Sequence, residues 1–331
     1  MILHVNKNIQ KATLDIFIHS HKAVFYENET EWVLITPSSL KETDGTIDNF
    51  ITKKVISDSD IQLASRNYIP EKRTVKAGNI AFGAPATTVM MAGPCSVESE
   101  RQIEESAELL LELGVKVLRA GAYKPRTSPY SFQGLGLEGL KLLDKMRRKY
   151  GFLIITEVRD STHADEVIDY ADIIQVGAKS MYDHGIMKKC GKSRKPVLLK
   201  RGFGSTLQEF VQMAEFILSA GNENVMLCER GIRTFETKTR FTLDLCGAVY
   251  LKHYTNLPVI LDPSHAMGYA YGVPDLAKAC FAMGVDGLLI ETHPNPKVAQ
   301  SDASRQLNHD EFRKLYGELK DISEALNIRL I

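Results

Sequence analysis

The sequence lacks the features that direct a chain into a membrane or out of the cell. None of its apolar stretches reaches the roughly 18–20 residues that a membrane-spanning helix needs. The first residues, MILHVNKNIQKATL, have neither the basic start and apolar stretch nor the small-residue cleavage site of a signal peptide. The 5 cysteines lie far apart and form no CxxC pair, which favours free thiols in a reducing compartment over a disulfide framework. We therefore expect a cytoplasmic protein with no membrane partner.

An excess of charge of either sign is also missing. The 331 residues include 41 Lys and Arg and 41 Asp and Glu, so the formal net charge is zero. This balance argues against non-specific binding of nucleic acid, although it leaves room for a local basic pocket. Hydrophobic residues make up 44% of the chain, enough for a sizeable core. The length suits one large domain with a small one beside it.

From about residue 87 the sequence alternates between short apolar runs and longer stretches with helical periodicity. The runs are apolar throughout, which is typical of strands buried on both faces in a parallel sheet. They are residues 88–93, 115–120, 152–157, 172–177, 196–202, 224–230, 257–263 and 286–291. The helical stretches include 98–114, 137–151, 206–221, 273–284 and 309–327. Eight such units predict a (β/α)₈ barrel over residues 87–331. A doubly wound open sheet is the alternative, but no GxGxxG follows the first run.

The first 70 residues do not follow this alternation. They predict a small α+β domain with the element order βαββαβ, including a polar helix near residues 38–53. Residues 71–86, with their glycines, proline and charges, are expected to form an extended linker.

A barrel of this kind carries its reactive groups at the carboxyl ends of the strands, and one set of residues there is cationic. Buried cations are costly unless anions meet them, and arginine suits bidentate binding of phosphate and carboxylate. The set therefore indicates a small substrate phosphorylated at more than one place, against the alternative of solvated loop charges paired with nearby Glu. Alternation along 196–202 also places Lys200 inward and leaves Arg201 outward and exposed. The cationic set comprises Arg119, Lys124, Arg126, Lys179, Lys200, Arg230 and Arg233.

A second set joins a thiol, an imidazole and two carboxylates: Cys95, His265, Glu291 and Asp302. Loops one, seven and eight carry them, and loop eight closes next to loop one in a barrel. Such a mixture of donors suits a divalent transition metal with one open position. Two other interpretations stay open: Cys95 as a small buried hydrophobe, and His265 as a general base.

Several long motifs at these strand ends resemble 3-deoxy-7-phosphoheptulonate synthase, in its microbial type I-beta subgroup. The motifs are AGPCSVES (92–99), LRAGAYKPRTSPYSFQGLG (118–136), PVLLKRGF (196–203), LCERGIRTFE (227–236), DPSHAMG (262–268) and IETHPNPKVAQSD (290–302). The resemblance covers residues 88–331. The KPRTS stretch distinguishes it from the sister enzyme that makes 3-deoxy-octulosonate 8-phosphate, whose loop typically has an Asn-Arg-Ser pattern.

The resemblance implies that phosphoenolpyruvate and erythrose 4-phosphate condense, with release of phosphate by C–O cleavage, in the first step of the shikimate pathway. It implies a divalent metal (Mn²⁺, Fe²⁺ or Zn²⁺) held by Cys95, His265, Glu291 and Asp302. It also implies that Lys124, Cys95 and His265 serve the chemistry. Phosphoenolpyruvate would be held by Arg119, Lys124, Lys179, Lys200 and Arg230, and the phosphate end of the aldose by Arg126, Thr127 and Ser128.

The sequence departs from the family at two places near the expected mouth of the barrel. Tyr269, Ala270 and Tyr271 stand where relatives often have basic residues, and residues 303–305 replace a glycine-containing stretch. A related synthase acting on another aldose phosphate is therefore the alternative function.

For the small domain, relatives carry either a ferredoxin-like regulatory domain that binds aromatic amino acids or a helical chorismate mutase, and the β-rich segments favour the first. Relatives are commonly tetramers, so the resemblance implies a homotetramer. The small domain carries no family motif, and an aromatic amino acid effector there is expected only from its position and size.

Overall fold

The computed structural model describes residues 1–124 and 128–331. Its amino-terminal part is a four-stranded antiparallel sheet with one helix against it. The elements are β1 (Ile2–Asn6), α1 (Lys11–Ser20), β2 (Val24–Glu27), β3 (Glu31–Ile35) and β4 (Ile51–Val55). The strand order β2-β3-β1-β4 is the sheet order of a ferredoxin-like βαββαβ domain. Alternate residues of β1 face opposite sides: Leu3 and Val5 pack towards α1, and Ile2 joins the main core.

The predicted helix near residues 38–53 was wrong. This stretch holds only a short 3₁₀ turn, Asp48–Phe50, before β4 begins. Side chains satisfy the backbone there in non-helical ways: the amide of Thr46 donates to Asp44 Oδ1 (3.0 Å), and Gly45 between them has φ +87°. Short polar side chains compete with helical hydrogen bonds in this manner.

The stretch expected as an extended linker folds as a hairpin of β5 (Val75–Ala77) and β6 (Ile80–Phe82). The side chains of Val75, Ala77, Ile80 and Phe82 pack against inward-facing residues of the barrel strands. The hairpin therefore closes the end of the barrel opposite the carboxyl ends of the strands. Where the domain boundaries near residues 70 and 86 lie stays a prediction.

Eight parallel strands then close into a barrel, which confirms the predicted (β/α)₈ fold. Their order follows the chain, and the last pairs with the first through Gly287–Glu291 and Val89–Gly93. The strands are β7 (Thr87–Gly93), β8 (Val117–Arg119), β9 (Leu153–Val158), β10 (Ile173–Val176), β11 (Val197–Lys200), β12 (Val225–Glu229), β13 (Val259–Leu261) and β14 (Gly287–Glu291). A short β15 (Arg329–Leu330) adds beside β7.

Helices between the strands cover the barrel. They are α2 (Glu100–Leu113), α3 (Leu137–Tyr150), α4 (Ala164–Tyr170), α5 (His184–Ser193), α6 (Leu207–Leu218), α7 (Leu245–Tyr254), α8 (Pro263–Met267), α9 (Val273–Ala282) and α10 (His309–Leu326). Their ends follow local sequence signals. Ser99 caps α2 by accepting from the amide of Gln102, and Gly114 ends it with φ +76°. Within the described ranges, no helix is both long and apolar enough to cross a bilayer.

The small domain is attached near the closed end of the barrel. Glu215 of α6 accepts hydrogen bonds from the amides of Gln62, Leu63 and Ala64, at 2.9, 3.1 and 2.8 Å. Asn256, just before β13, donates to the carbonyls of Leu63 and Ser65. The strand ends that carry the predicted site therefore lie at the opposite end of the barrel from the small domain.

Candidate active site

A cavity of about 250 Å³ opens at the carboxyl ends of the barrel strands. Side chains from loops one, two, three, four, five, six, seven and eight meet in or beside it, as expected for this fold. Its lining includes Lys124, Glu157, Lys179, Lys200, Phe203, Arg230, Arg240, Phe241, His265, Asp302 and Arg305.

Buried cations at the strand ends lie in the wall of this cavity (Lys124, Lys200 and Arg230) or behind it (Arg119). Arg119, at the end of β8, donates from Nη1 to the Pro94 carbonyl (2.7 Å) and Glu291 Oε1 (3.0 Å). Lys200, at the end of β11, donates to Asp262 Oδ2 at 2.6 Å. The cations Arg119, Lys124, Lys200 and Arg230 are each no more than 5% exposed.

Arg230 stands out among these cations because no carboxylate of the described residues pairs with it. Its Nε is buried without a hydrogen-bond partner, and its guanidinium lies 4.3 Å from the centre of the Phe241 ring. Burial lowers the pKa of Arg230 to about 10, which still leaves it charged at neutral pH. A buried and unpaired cation beside a cavity is suited to meet an anionic ligand.

The four expected metal ligands come together at one side of the cavity. Cys95 Sγ lies 3.2 Å from Asp302 Oδ2, and His265 Nε2 lies 3.6 Å from Glu291 Oε1. Burial raises the pKa of the Cys95 thiol. Burial, together with Arg305, holds the pKa of His265 well below its usual value, so its imidazole is neutral.

The side chain of Arg305 lies among these four residues. Its Nη2 is 3.5 Å from Cys95 Sγ, 3.0 Å from His265 Nε2, 3.2 Å from Glu291 Oε1 and 2.9 Å from Asp302 Oδ2. The donor atoms have the chemistry that a divalent metal needs, but the point on which they converge holds a guanidinium nitrogen. Accordingly, in the described part of the chain no group of three or more His, Cys, Asp and Glu side chains is arranged to hold a metal ion.

Lys124 lies beside the same cluster. Its Nζ donates to the Cys95 carbonyl at 3.0 Å and approaches Cys95 Sγ at 3.1 Å. The ammonium is therefore held at the floor of the cavity, next to both the expected metal ligands and the cationic wall.

The remaining predicted residues are placed less centrally. Lys179 is exposed and lines the cavity. Ser128 is half-buried, accepts from the amide of Tyr130 and does not line the cavity. Arg126 and Thr127 lie outside the described residues, and Arg233 is exposed, with its guanidinium 4.5 Å from the centre of the Phe203 ring.

The expectation that Arg201 is exposed was wrong. Lys200 lines the cavity and Arg201 does not, as alternation predicts, but only 4% of Arg201 is exposed. Its Nη1 pairs with Glu229 Oε2 at 2.9 Å and Asp244 Oδ2 at 2.8 Å. Alternation predicts the direction of a side chain, whereas exposure depends on the loop before α7, which folds over Arg201.

Residues 60–327 match the family model described as the DAHP synthetase I family. The curated phospho-2-dehydro-3-deoxyheptonate aldolase of Thermotoga maritima is 45% identical over 269 residues, covering 81% of this chain and 79% of that protein. The chain belongs to the DAHP synthetase I family. A crystal structure of the Thermotoga maritima phospho-2-dehydro-3-deoxyheptonate aldolase, also called DAHP synthase, aligns with a TM-score of 0.81 and 37% identity, over 100% of this chain and 99% of that chain.

Membership of the DAHP synthetase I family confirms the family resemblance and the class of reaction that the motifs implied, a transferase of aromatic amino acid biosynthesis. More distant similarity extends to the 2-dehydro-3-deoxyphosphooctonate aldolase of Fusobacterium nucleatum. It is 31% identical over 280 residues, covering 79% of this chain and 96% of that protein.

Sequence reasoning missed three groups of this family site: Arg305, Arg240, and the Phe203–Phe241 ring pair. Arg240 approaches Asp302 Oδ1 at 4.0 Å, and the two rings lie 5.7 Å apart. No motif marks Arg240, because it comes from the long loop between β12 and α7. Arg305 lies in the stretch 303–305, which departs from the family pattern, and this departure was the sequence feature that could have drawn attention to it.

Proposed function

We propose that the open end of the barrel binds phosphoenolpyruvate and erythrose 4-phosphate side by side and joins them to 3-deoxy-D-arabino-heptulosonate 7-phosphate. The observation that carries the proposal is the cationic wall, in which the buried Lys124, Lys200 and Arg230 line one cavity and Arg119 is buried beside it at the end of β8. A small, doubly charged phosphate ester with a carboxylate is the kind of ligand that offsets the cost of burying so many cations.

The deeper cations hold phosphoenolpyruvate. Arg230, which lacks a carboxylate partner among the described residues, and Lys200 receive its charged groups. Arg119 and Lys124 fix its other end beside Cys95. Lys179 completes this set at the rim. For the phosphate of the aldose we propose Arg126, Thr127 and Ser128 on the family resemblance of the KPRTS stretch alone, since Ser128 does not line the cavity and the other two lie outside the described residues.

The reaction needs no redox partner. C3 of phosphoenolpyruvate attacks the aldehyde carbon, the carbonyl electron pair moves to oxygen, and that oxygen takes a proton. Water adds to C2 and loses a proton, and the resulting hemiketal phosphate expels inorganic phosphate by cleavage of its C–O bond. Lys124 is the group that delivers a proton to the new alkoxide or to the leaving phosphate, since its ammonium is fixed at the floor of the cavity.

A phosphate-release assay tests this proposal. The full chain is incubated with phosphoenolpyruvate and, in separate reactions, erythrose 4-phosphate, arabinose 5-phosphate and ribose 5-phosphate, each with and without added Mn²⁺. We expect release with erythrose 4-phosphate and a seven-carbon product by mass spectrometry. No release with that aldose in any condition overturns the proposal.

A second candidate acceptor is a five-carbon aldose phosphate. It is supported by the similarity to the Fusobacterium nucleatum protein, which is named 2-dehydro-3-deoxyphosphooctonate aldolase. An eight-carbon product in the same assay would establish this alternative.

The assembly and the small domain are proposals of the same kind. We infer a homotetramer, which sedimentation velocity tests, and an aromatic amino acid effector at the ferredoxin-like domain. Tyrosine or phenylalanine added to the phosphate-release assay tests the effector. The free thiols of all 5 cysteines support a reducing, cytoplasmic location.

A further inference from the structure

Arg305 Nη2 occupies the point on which Cys95, His265, Glu291 and Asp302 converge. All four donor atoms lie between 2.9 and 3.5 Å from this nitrogen. A metal ion bound by the same atoms would sit about 2.0–2.3 Å from each. Because Nη2 is covalently attached to the guanidinium carbon, the ion and this side chain cannot occupy the point together.

We propose that the Arg305 guanidinium is the resident cation of this site and takes the place that a divalent metal ion would have. The proposal that it excludes a metal is independent of the reaction. Its role towards a substrate rests on the proposed condensation.

The two carboxylates at the site already have cationic partners without a metal ion. Glu291 and Asp302 carry two negative charges. Arg305 pairs with Asp302 through Nη2 and with Glu291 through Nε and Nη2, while Arg119 pairs with the same Glu291 oxygen at 3.0 Å. Lys124 adds a third cation beside Cys95. An additional dication would therefore meet strong repulsion from three buried positive charges.

Hydrogen bonds and backbone conformation fix the position of the loop that carries Arg305. Asp302 adopts a left-handed conformation (φ +47°), from which a short turn, Ala303–Arg305, directs the arginine back over its own loop. The next residue, Gln306, accepts from the amide of Cys95 at 2.8 Å and donates to the Ser301 carbonyl at 2.9 Å. Arg305 itself is 2% exposed, so it cannot leave the site without breaking these contacts.

One nitrogen of the guanidinium remains available. Nη1 of Arg305 is buried without a hydrogen-bond partner in the described part of the chain, and Arg305 lines the cavity. A buried donor without a partner is costly, and a substrate oxygen would satisfy it. In the proposed condensation, this donor binds the aldehyde oxygen of the aldose. As C3 of phosphoenolpyruvate attacks, Nη1 stabilises the alkoxide until it takes its proton.

Cobalt titration tests whether Arg305 excludes a metal, with no substrate present. Wild-type protein, Arg305→Gln and Arg240→Gln are freed of metal by dialysis against chelator and titrated with Co²⁺ alone. Binding is followed by the visible bands of bound Co²⁺ and the ultraviolet band of a thiolate–cobalt bond. Arg240→Gln is the matched control, since it removes a positive charge near Asp302 and leaves the four-donor point filled.

We expect Arg305→Gln to bind one Co²⁺ with the thiolate band, and wild type and Arg240→Gln to bind at least about 100-fold more weakly, without that band. Stoichiometric Co²⁺ bound to Cys95 in the wild type overturns the proposal. The wild-type titration decides this point even if Arg305→Gln does not fold.

Activity measurements test the role towards the substrate. With phosphoenolpyruvate and erythrose 4-phosphate, the wild type should keep its rate in excess chelator, whereas Arg305→Gln should lose about 100-fold and regain activity with Mn²⁺. A wild type that chelator inactivates and Mn²⁺ restores refutes the assignment of Arg305. A wild type inactive in every condition refutes the proposed function instead and leaves the cobalt result standing.

Discussion

The Arg201→Ala variant should have a much lower free energy of unfolding than the wild type, although Arg201 does not line the cavity. In the wild type its Nη1 pairs with Glu229 and Asp244, and its Nε and Nη2 donate to the Ser205 carbonyl at 3.3 and 3.1 Å. The variant leaves the carboxylate of Glu229, which has no exposed surface, with two donors among the described residues, the amides of Gly231 (2.7 Å) and Asp244 (3.3 Å).

Removing one partner of a buried ion pair costs about 3–5 kcal/mol, because the other charge stays buried without compensation. Burial already raises the pKa of Glu229 in the presence of Arg201. Without Arg201 that pKa should rise further, so protonation of Glu229 becomes the easier way to relieve the site. The loss of stability should therefore be largest at high pH and should shrink as the pH falls.

Urea unfolding followed by circular dichroism at pH 6 and pH 8 measures this effect. The control is Arg101→Ala, which removes an arginine that is exposed and paired with Glu105 on the surface of α2, and which should leave the unfolding midpoint unchanged. A double variant, Arg201→Ala with Glu229→Gln, should recover part of the loss. If Arg201→Ala unfolds at the wild-type urea concentration at both pH values, our account of this buried network is wrong.

Three further predictions follow from contacts at other places. Lys124→Ala should lower kcat/KM by about 10²–10³, because it removes a charge-assisted contact from a water-poor site, and steady-state kinetics showing a loss under tenfold would contradict the role of Lys124. In the native protein, one thiol should react rapidly with Ellman's reagent, that of the exposed Cys246, and all 5 thiols should react only after denaturation. A rapidly reacting thiol in the Cys246→Ser variant would contradict the buried positions of the other four. Burial raises the pKa of Glu215 from 4.5 to about 7. Between these two pH values the native protein therefore holds a proton on Glu215 that the unfolded chain releases. The stability that this proton contributes, on the order of 3 kcal/mol, is fully present below pH 4.5 and is lost as the pH rises to about 7. Thermal unfolding should then lose stability over this range more steeply in wild type than in Glu215→Gln, and equal slopes would refute the assignment.

The barrel was predictable from sequence because its strands are apolar on both faces. Runs such as 88–93 and 286–291 became β7 and β14 within one or two residues, and glycine stops such as Gly114 marked the helix ends. The small domain was predicted in part, since its strands alternate clearly, but the polar stretch before β4 has no apolar periodicity to decide its structure. The hairpin of β5 and β6 was missed because each of its strands is only 3 residues long.

The candidate site shows where sequence reasoning stops. The sequence predicted Arg119, Lys124, Lys200 and Arg230 as site residues because each lies at or after the end of an apolar run. A (β/α)₈ barrel brings the carboxyl ends of its strands together at one site. The contacts of Arg305 were not predictable, because they depend on how a short turn after Asp302 directs one side chain. Likewise, the burial of Arg201 depends on a loop that comes more than 30 residues later in the chain.

The hairpin beneath the barrel has a consequence for the order of events during turnover. Because it closes the far end, the cavity formed by the described residues opens to solvent at the carboxyl ends of the strands. The buried cations Lys124, Lys200 and Arg230 lie deep in it, and Lys179 lies at its rim. With phosphoenolpyruvate bound at the floor, as proposed, we expect it to enter before the aldose phosphate. Initial-rate kinetics with both substrates varied should therefore fit an ordered sequential scheme in which the deeper substrate binds first.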